Sequence, residues 1–212
     1  MGLDWNPGPK AKPGCETEFC ELWKKLRARS CFLRNRKVRR FKEITVTAFE
    51  TLAAPRVGID ATATDWAREK AFPNREDKNL TEEIFLRRMF GFYVLDLVSP
   101  CDGIPLYTNG QAGGYVERYA FRGQYLRDCA GIIGDELLEC AYVSKLPEPT
   151  AAYGDELLEA GSRFAAARGI DIAKIQASQE PESIEFRLDV VVCAGRWCRF
   201  WAAKGHWLEA YC

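Results

Sequence analysis

A chain of 212 residues, 47% hydrophobic and 28% charged, has the composition of an ordinary globular protein. That balance excludes a disordered or fibrous chain and leaves enough length to bury a core without covalent staples. Thirty basic residues offset thirty acidic ones, so net charge selects no partner, and no apolar run reaches the roughly 18 to 20 residues of a membrane helix.

No signal-peptide layout opens the chain, so a cytoplasmic protein with no membrane association is expected. Nine cysteines, an odd number, point to reduced thiols rather than a disulfide framework. Cys15 and Cys20 repeat the spacing of Cys193 and Cys198, with His206 nearby. Positions five apart diverge around a helix axis, however, so no metal and no cofactor is expected.

Residues 1–14 hold NPGPKAKPG, which predicts an extended Pro/Gly arm with Trp5 as its anchor on the body; residues 15–212 read as a single globular domain. Phe19, Leu22, Trp23 and Leu26 have helical spacing from Glu16 onward. A basic cluster over residues 24–42 follows, with no acidic residue inside it, including Arg34, Arg36, Lys37, Arg39 and Arg40. Such a run can meet a nucleic-acid backbone, pair with acidic surfaces of the same molecule around 135–139 and 155–159, or form a solvated face.

Ile44–Phe49 alternates as a strand does, although a helical pattern also fits it. A helix with Thr62 or Thr64 as its cap is expected before Pro73, and a second one over 79–91, where Asn79 and Glu82 have capping-box spacing. Phe92–Val98 is aromatic and branched, bounded by Gly91 and Pro100, and predicts a central strand carrying one charge, Asp96.

Five of the 17 glycines then fall between Cys101 and Gln124, the composition of a turn-rich loop in which the backbone must bend sharply or approach a partner closely. This polar loop is the expected ligand site, with Asp102, Tyr107, Asn109, Glu117, Arg122 and Gln124 as its contact residues. Asp102 or Glu117 can serve as a general base and Arg122 as an anion clamp. Cys101 lacks an adjacent base, since the single histidine, His206, lies 105 positions away. Gly113-Gly114 has neither dinucleotide nor P-loop spacing. Phe121-Arg122-Gly123-Gln124 resembles the signature after which FRG domains are named, over four residues and with no companion pattern downstream.

GDELLE occurs at 134–139 and again at 154–159, each placed at an expected helix start, where acidic side chains complement the helix dipole. Residues 184–192 fit a strand by alternation and a long helix by the row Ile184, Leu188, Val191, Trp197, Trp201; the helix is preferred. Trp197, Trp201 and Trp207 form either a core or an aromatic binding platform.

The expected architecture is an α-rich α+β fold, six or seven helices around a small sheet. Three functions follow from it. The first is a binding protein whose loop recognises a small molecule or a protein partner. The second is a hydrolase or transferase using carboxylates and an arginine of that loop. The third is a nucleic-acid binder using the basic cluster. The first is preferred, because no candidate catalytic residue belongs to a recognised set.

Overall fold

The computed structural model describes residues 2–27, 34–99, 119–175 and 182–212. In chain order the elements are β1 (Asp4–Gly8), β2 (Lys10–Ala11), α1 (Glu16–Arg27), α2 (Arg34–Glu43), β3 (Thr45–Val46), α3 (Ala48–Thr51), α4 (Ala61–Trp66), α5 (Glu82–Met89), α6 (Ala130–Ile133), α7 (Asp135–Cys140), α8 (Pro147–Ala166), α9 (Ile184–Ala203) and β4 (Trp207–Tyr211). The fold is α+β and helix-rich, with nine α-helices among the described residues and two sheets of two strands each. The chain divides into two compact units, Met1–Ala48 with Cys101–Cys212, and Phe49–Pro100.

In the larger unit the two ends of the chain pair. β1 and β4 run antiparallel with Asp4 opposite Tyr211 and Gly8 opposite Trp207. β1 contains Pro7 and Gly8, so it has neither the propensity nor the pattern of a strand and is held by non-local pairing. Trp5 exchanges backbone hydrogen bonds with Phe121 on its other side, at 2.7 and 3.0 Å, and its side chain is fully buried. The second sheet is the short pair β2–β3.

The core is built on α8 and α9. Their crossing is tight because Gly154 and Gly195 face each other: a Cβ on Gly195 would lie 2.8 Å from the Gly154 carbonyl oxygen and 2.6 Å from Leu158 Cγ. Gly161 lies against Val191 and Val192, so the contacts descend along one helix as they ascend the other and the pair is antiparallel. α9 is capped by the Ser183 side chain, which accepts from the Phe186 amide at 3.1 Å. Its C-cap is Lys204, followed by Gly205 at φ +80°, and the His206 amide reaches back to the Trp201 carbonyl at 2.9 Å. This is the glycine-terminated geometry that satisfies the last carbonyls of a helix.

The smaller unit packs Val57, Ala63, Ala67 and Val94 with Trp66, Phe85, Leu86 and Met89. α5 is capped by Thr81, which accepts from the Ile84 amide, so the expected Asn79–Glu82 box is not the cap that forms. α4 is preceded by Asp60 rather than started by Thr62 or Thr64.

Three expectations on secondary structure are corrected. Phe92–Val98 is not a strand: only Tyr93 bridges, to Arg56, and Leu95–Leu97 form a 3-10 turn. Only Thr45–Val46 of the 44–49 stretch are strand, and a helix begins at Ala48. The second GDELLE lies inside α8, which starts at Pro147, because proline at the first helical turn lacks only an amide that the helix does not use.

Candidate functional site

Of the loop residues expected to bind a ligand, Asp102, Tyr107, Asn109 and Glu117 lie outside the described residues, as does Cys101. Arg122 and Gln124 are described and half-buried. The Gln124 amide donates to the Leu3 carbonyl at 2.8 Å, and Gly123 lies so close to Leu3 that a Cβ there would sit 2.8 Å from its Cγ. These residues are thus sewn to the N-terminal segment.

Arg34, Arg36, Lys37, Arg39 and Arg40 lie along α2. Arg40 forks onto both Glu18 carboxylate oxygens, at 2.7 and 2.8 Å, and Arg39 pairs with Glu43 at 3.2 Å. The Arg40 hydrogen bonds hold the Glu18 carboxyl below its ordinary pKa and raise that of Arg40. Part of the basic cluster therefore pairs with acids within its own helical hairpin, while Asp155 and Glu159 pair with Arg199 and Arg163.

Between α1, α2 and β4 lies a cavity of about 430 Å³ lined by Trp23, Leu26, Arg27, Arg34, Phe41, Trp207 and Glu209. Local periodicity explains the lining. Trp23 and Arg27 are four residues apart and share a face of α1, whereas Trp207 and Glu209 are two apart and share a face of β4. Leu208, between them, points the other way and is fully buried.

Trp207 is immobilised. Its Nε1 donates to the Pro9 carbonyl at 3.0 Å, and its ring lies on cross-strand Gly8, where a Cβ would fall inside the indole. Trp23 meets it edge-on, with centroids 5.6 Å apart at 85°. The Arg27 guanidinium covers both rings, 5.3 Å from Trp23 and 5.7 Å from Trp207. Burial pushes the Glu209 carboxyl above its ordinary pKa, and the charge on Arg27 opposes that shift.

Trp23 Nε1 is buried and has no hydrogen-bond partner among the described residues. A buried donor left unmade costs about 1–3 kcal/mol. Trp201 Nε1 is likewise unpaired, but it lies in the core beneath α9 rather than on this cavity. Trp197, Trp201 and Trp207 are all buried, as the core reading has it, and Trp207 also lines this cavity. Trp23, Arg27 and Glu209 went unremarked as site residues; the spacings Trp23 to Arg27 and Trp207 to Glu209 were the available signals.

His206 is buried with its ring edge-on to Trp201, at 5.2 Å. Nδ1 lies 2.8 Å from the Gly8 carbonyl, which can only accept, so Nδ1 carries the proton. Burial first, with help from Lys10 and Lys204 and against the pull of that carbonyl, lowers its pKa to about 4. A depressed histidine contributes stability that is complete above the unfolded value near 6.5 and is lost as pH falls through 4, because the unfolded chain takes the proton first. Its loss should reach about 3 kcal/mol by pH 4. Urea midpoints measured from pH 7.5 to 4 should show that decline, and His206→Gln should flatten it; an unchanged slope in the variant would assign the decline to other groups.

Among the described residues, no group of three His, Cys, Asp or Glu side chains can hold a metal ion, and no helix is long and apolar enough to cross a membrane. No family model matches the chain, and no curated protein or solved structure matches it either.

Proposed function

We propose that this chain is a binding protein whose ligand site is the Trp23–Trp207 pocket, and that its ligand is a small molecule with a planar apolar body and an anionic group. The buried, unpaired Nε1 of Trp23 carries this reading. It is a desolvated donor on a side chain that lines a cavity whose size falls in the range of small-molecule pockets, about 300–1,000 Å³. Half-buried Trp23 and Phe41 offer ring surface for a flat guest beside the edge of Trp207, and Arg27 and Arg34 supply two positive charges against one carboxyl whose ionisation burial disfavours. A nucleic-acid face on α2 is less favoured, since Arg39 and Arg40 already pair with Glu43 and Glu18.

Titration with 1-naphthyl phosphate, followed by tryptophan quenching, should saturate with a Kd on the order of 10–100 µM, given the few heavy atoms it brings. Trp23→Phe keeps an aromatic ring at the position but removes the N–H along with the pyrrole half of the indole, and should weaken binding about five- to tenfold. A titration that stays linear to millimolar probe, or a Trp23→Phe protein that binds as well as the parent, would remove the pocket from consideration.

A further inference from the structure

With the pocket accepted as the ligand site, its charges identify the anion it takes. The two cations on its wall come from different helices, Arg27 as the last residue of α1 and Arg34 as the first of α2. Both are exposed, and among the described residues neither makes a hydrogen bond or an ion pair. The acids of the same two helices are engaged elsewhere. Glu16 accepts from the Gly14 amide at 3.1 Å, Glu18 takes the Arg40 fork, Glu21 pairs with Lys25 at 3.1 Å, and Glu43 pairs with Arg39 at 3.2 Å. Glu209 also lines the cavity, and it is ion-paired to neither arginine.

Two guanidinium groups thus line one cavity of about 430 Å³ without a matching carboxylate among the described residues. A carboxylate or a sulfate ester brings one negative charge, which a single guanidinium matches with a two-bond fork. A phosphate monoester at neutral pH brings close to two, spread over three oxygens on one phosphorus, so two guanidinium groups can share it. Arg27 lies over the Trp23 and Trp207 rings, 5.3 and 5.7 Å from their centroids. A guanidinium that meets aromatic rings still has five N–H donors to offer an oxyanion. We propose that the pocket takes a phosphate monoester of a flat apolar body, with the phosphate dianion held between Arg27 and Arg34.

The full chain is titrated with 1-naphthyl phosphate, 1-naphthyl sulfate and naphthalene-2,3-dicarboxylate at pH 7.5 and low ionic strength. The two esters share ring, ester oxygen and tetrahedral head, and differ by one charge. The phosphate should bind about fivefold more tightly than the sulfate, the effect of one added charge pair in a solvent-accessible site. At pH 5 the phosphate ester carries a single charge, so the ratio of the two affinities should fall to within about twofold. Titrating groups of the protein act on both esters and cancel in that ratio. Arg34→Gln, with unchanged thermal unfolding, should weaken the phosphate about fivefold and bring the ratio at pH 7.5 within about twofold. If the sulfate matches the phosphate at pH 7.5, if the ratio ignores pH, or if Arg34→Gln keeps the full ratio, the dianion assignment is overturned while saturable binding of either ester upholds the pocket. If the dicarboxylate binds more tightly than the phosphate, the arginines serve two separate carboxylates and the phosphate assignment is overturned in the same way. If no probe quenches, both fall.

Discussion

Trp5→Ala should lower the unfolding free energy by about 4 kcal/mol, a large share of the 5–15 kcal/mol that holds a typical domain folded. The residue is the fifth of the sequence, beside a stretch of prolines and glycines, yet its side chain is fully buried. Its ring lies 4.9 Å from Phe121, 5.7 Å from Trp197 and 5.8 Å from Tyr153 by centroid. Its Nε1 donates to the buried Ala141 carbonyl at 2.8 Å. Alanine would leave a cavity among three aromatic rings and an acceptor without its donor, and the two costs add. Trp5→Phe retains most of the apolar contact and should cost about half as much. Urea denaturation followed by circular dichroism measures both; a loss under about 1 kcal/mol for alanine would mean that β1 is peripheral to stability.

Gly195→Ala should destabilise by about 3 kcal/mol although alanine is the better helix former. Propensity alone favours the substitution by about 1 kcal/mol. Sterics decide the sign, because the new Cβ would lie 2.8 Å from a backbone oxygen of Gly154 and 2.6 Å from Leu158 Cγ, and the backbone atom cannot rotate away. The helices must separate, and the contacts along α8 and α9 loosen with them. Gly131 in α6 is the control: a Cβ there meets nothing within 4 Å, so Gly131→Ala should be neutral or stabilise by up to about 1 kcal/mol. Thermal unfolding of the two variants should shift in opposite directions. Equal shifts would show that the α8–α9 crossing has room that its geometry denies.

The helices were legible in the sequence where periodicity was long. α1 and α9 follow their apolar rows, and the alternation of 184–192 lost to the helical reading because residues beyond 192 continue the helical row. Strands were not legible, because a strand is defined by its partner. Phe92–Val98 looked like one from composition, yet Phe92 is 60% exposed and, among the described residues, no strand pairs with the segment beyond the Arg56–Tyr93 bridge. β1 looked like coil and became a strand through pairing with β4, some two hundred positions away.

The candidate site was hidden for the same reason. Trp23 and Trp207 meet at 5.6 Å only because the chain ends pair and α1 packs beside them. Each looked like a core residue by itself. The basic cluster was visible as a run, but which of its cations bond to Glu18 and Glu43, and which line a cavity, depends on how α1 and α2 fold back on each other.

The central claim is that the Trp23–Trp207 pocket holds a ligand through the Trp23 indole donor, which has no partner among the described residues. The indole N–H resonances of ¹⁵N-labelled protein read this directly, with Trp23 assigned through Trp23→Phe. Trp5 and Trp197 already donate to the Ala141 and Tyr119 carbonyls, away from the pocket, and serve as internal references. Addition of 1-naphthyl phosphate should move the Trp23 resonance downfield in a saturable way, as an N–H does when it gains an acceptor, and leave those of Trp5 and Trp197 in place. A Trp23 resonance that stays fixed at saturating probe, or one that moves only together with those of Trp5 and Trp197, would contradict the account.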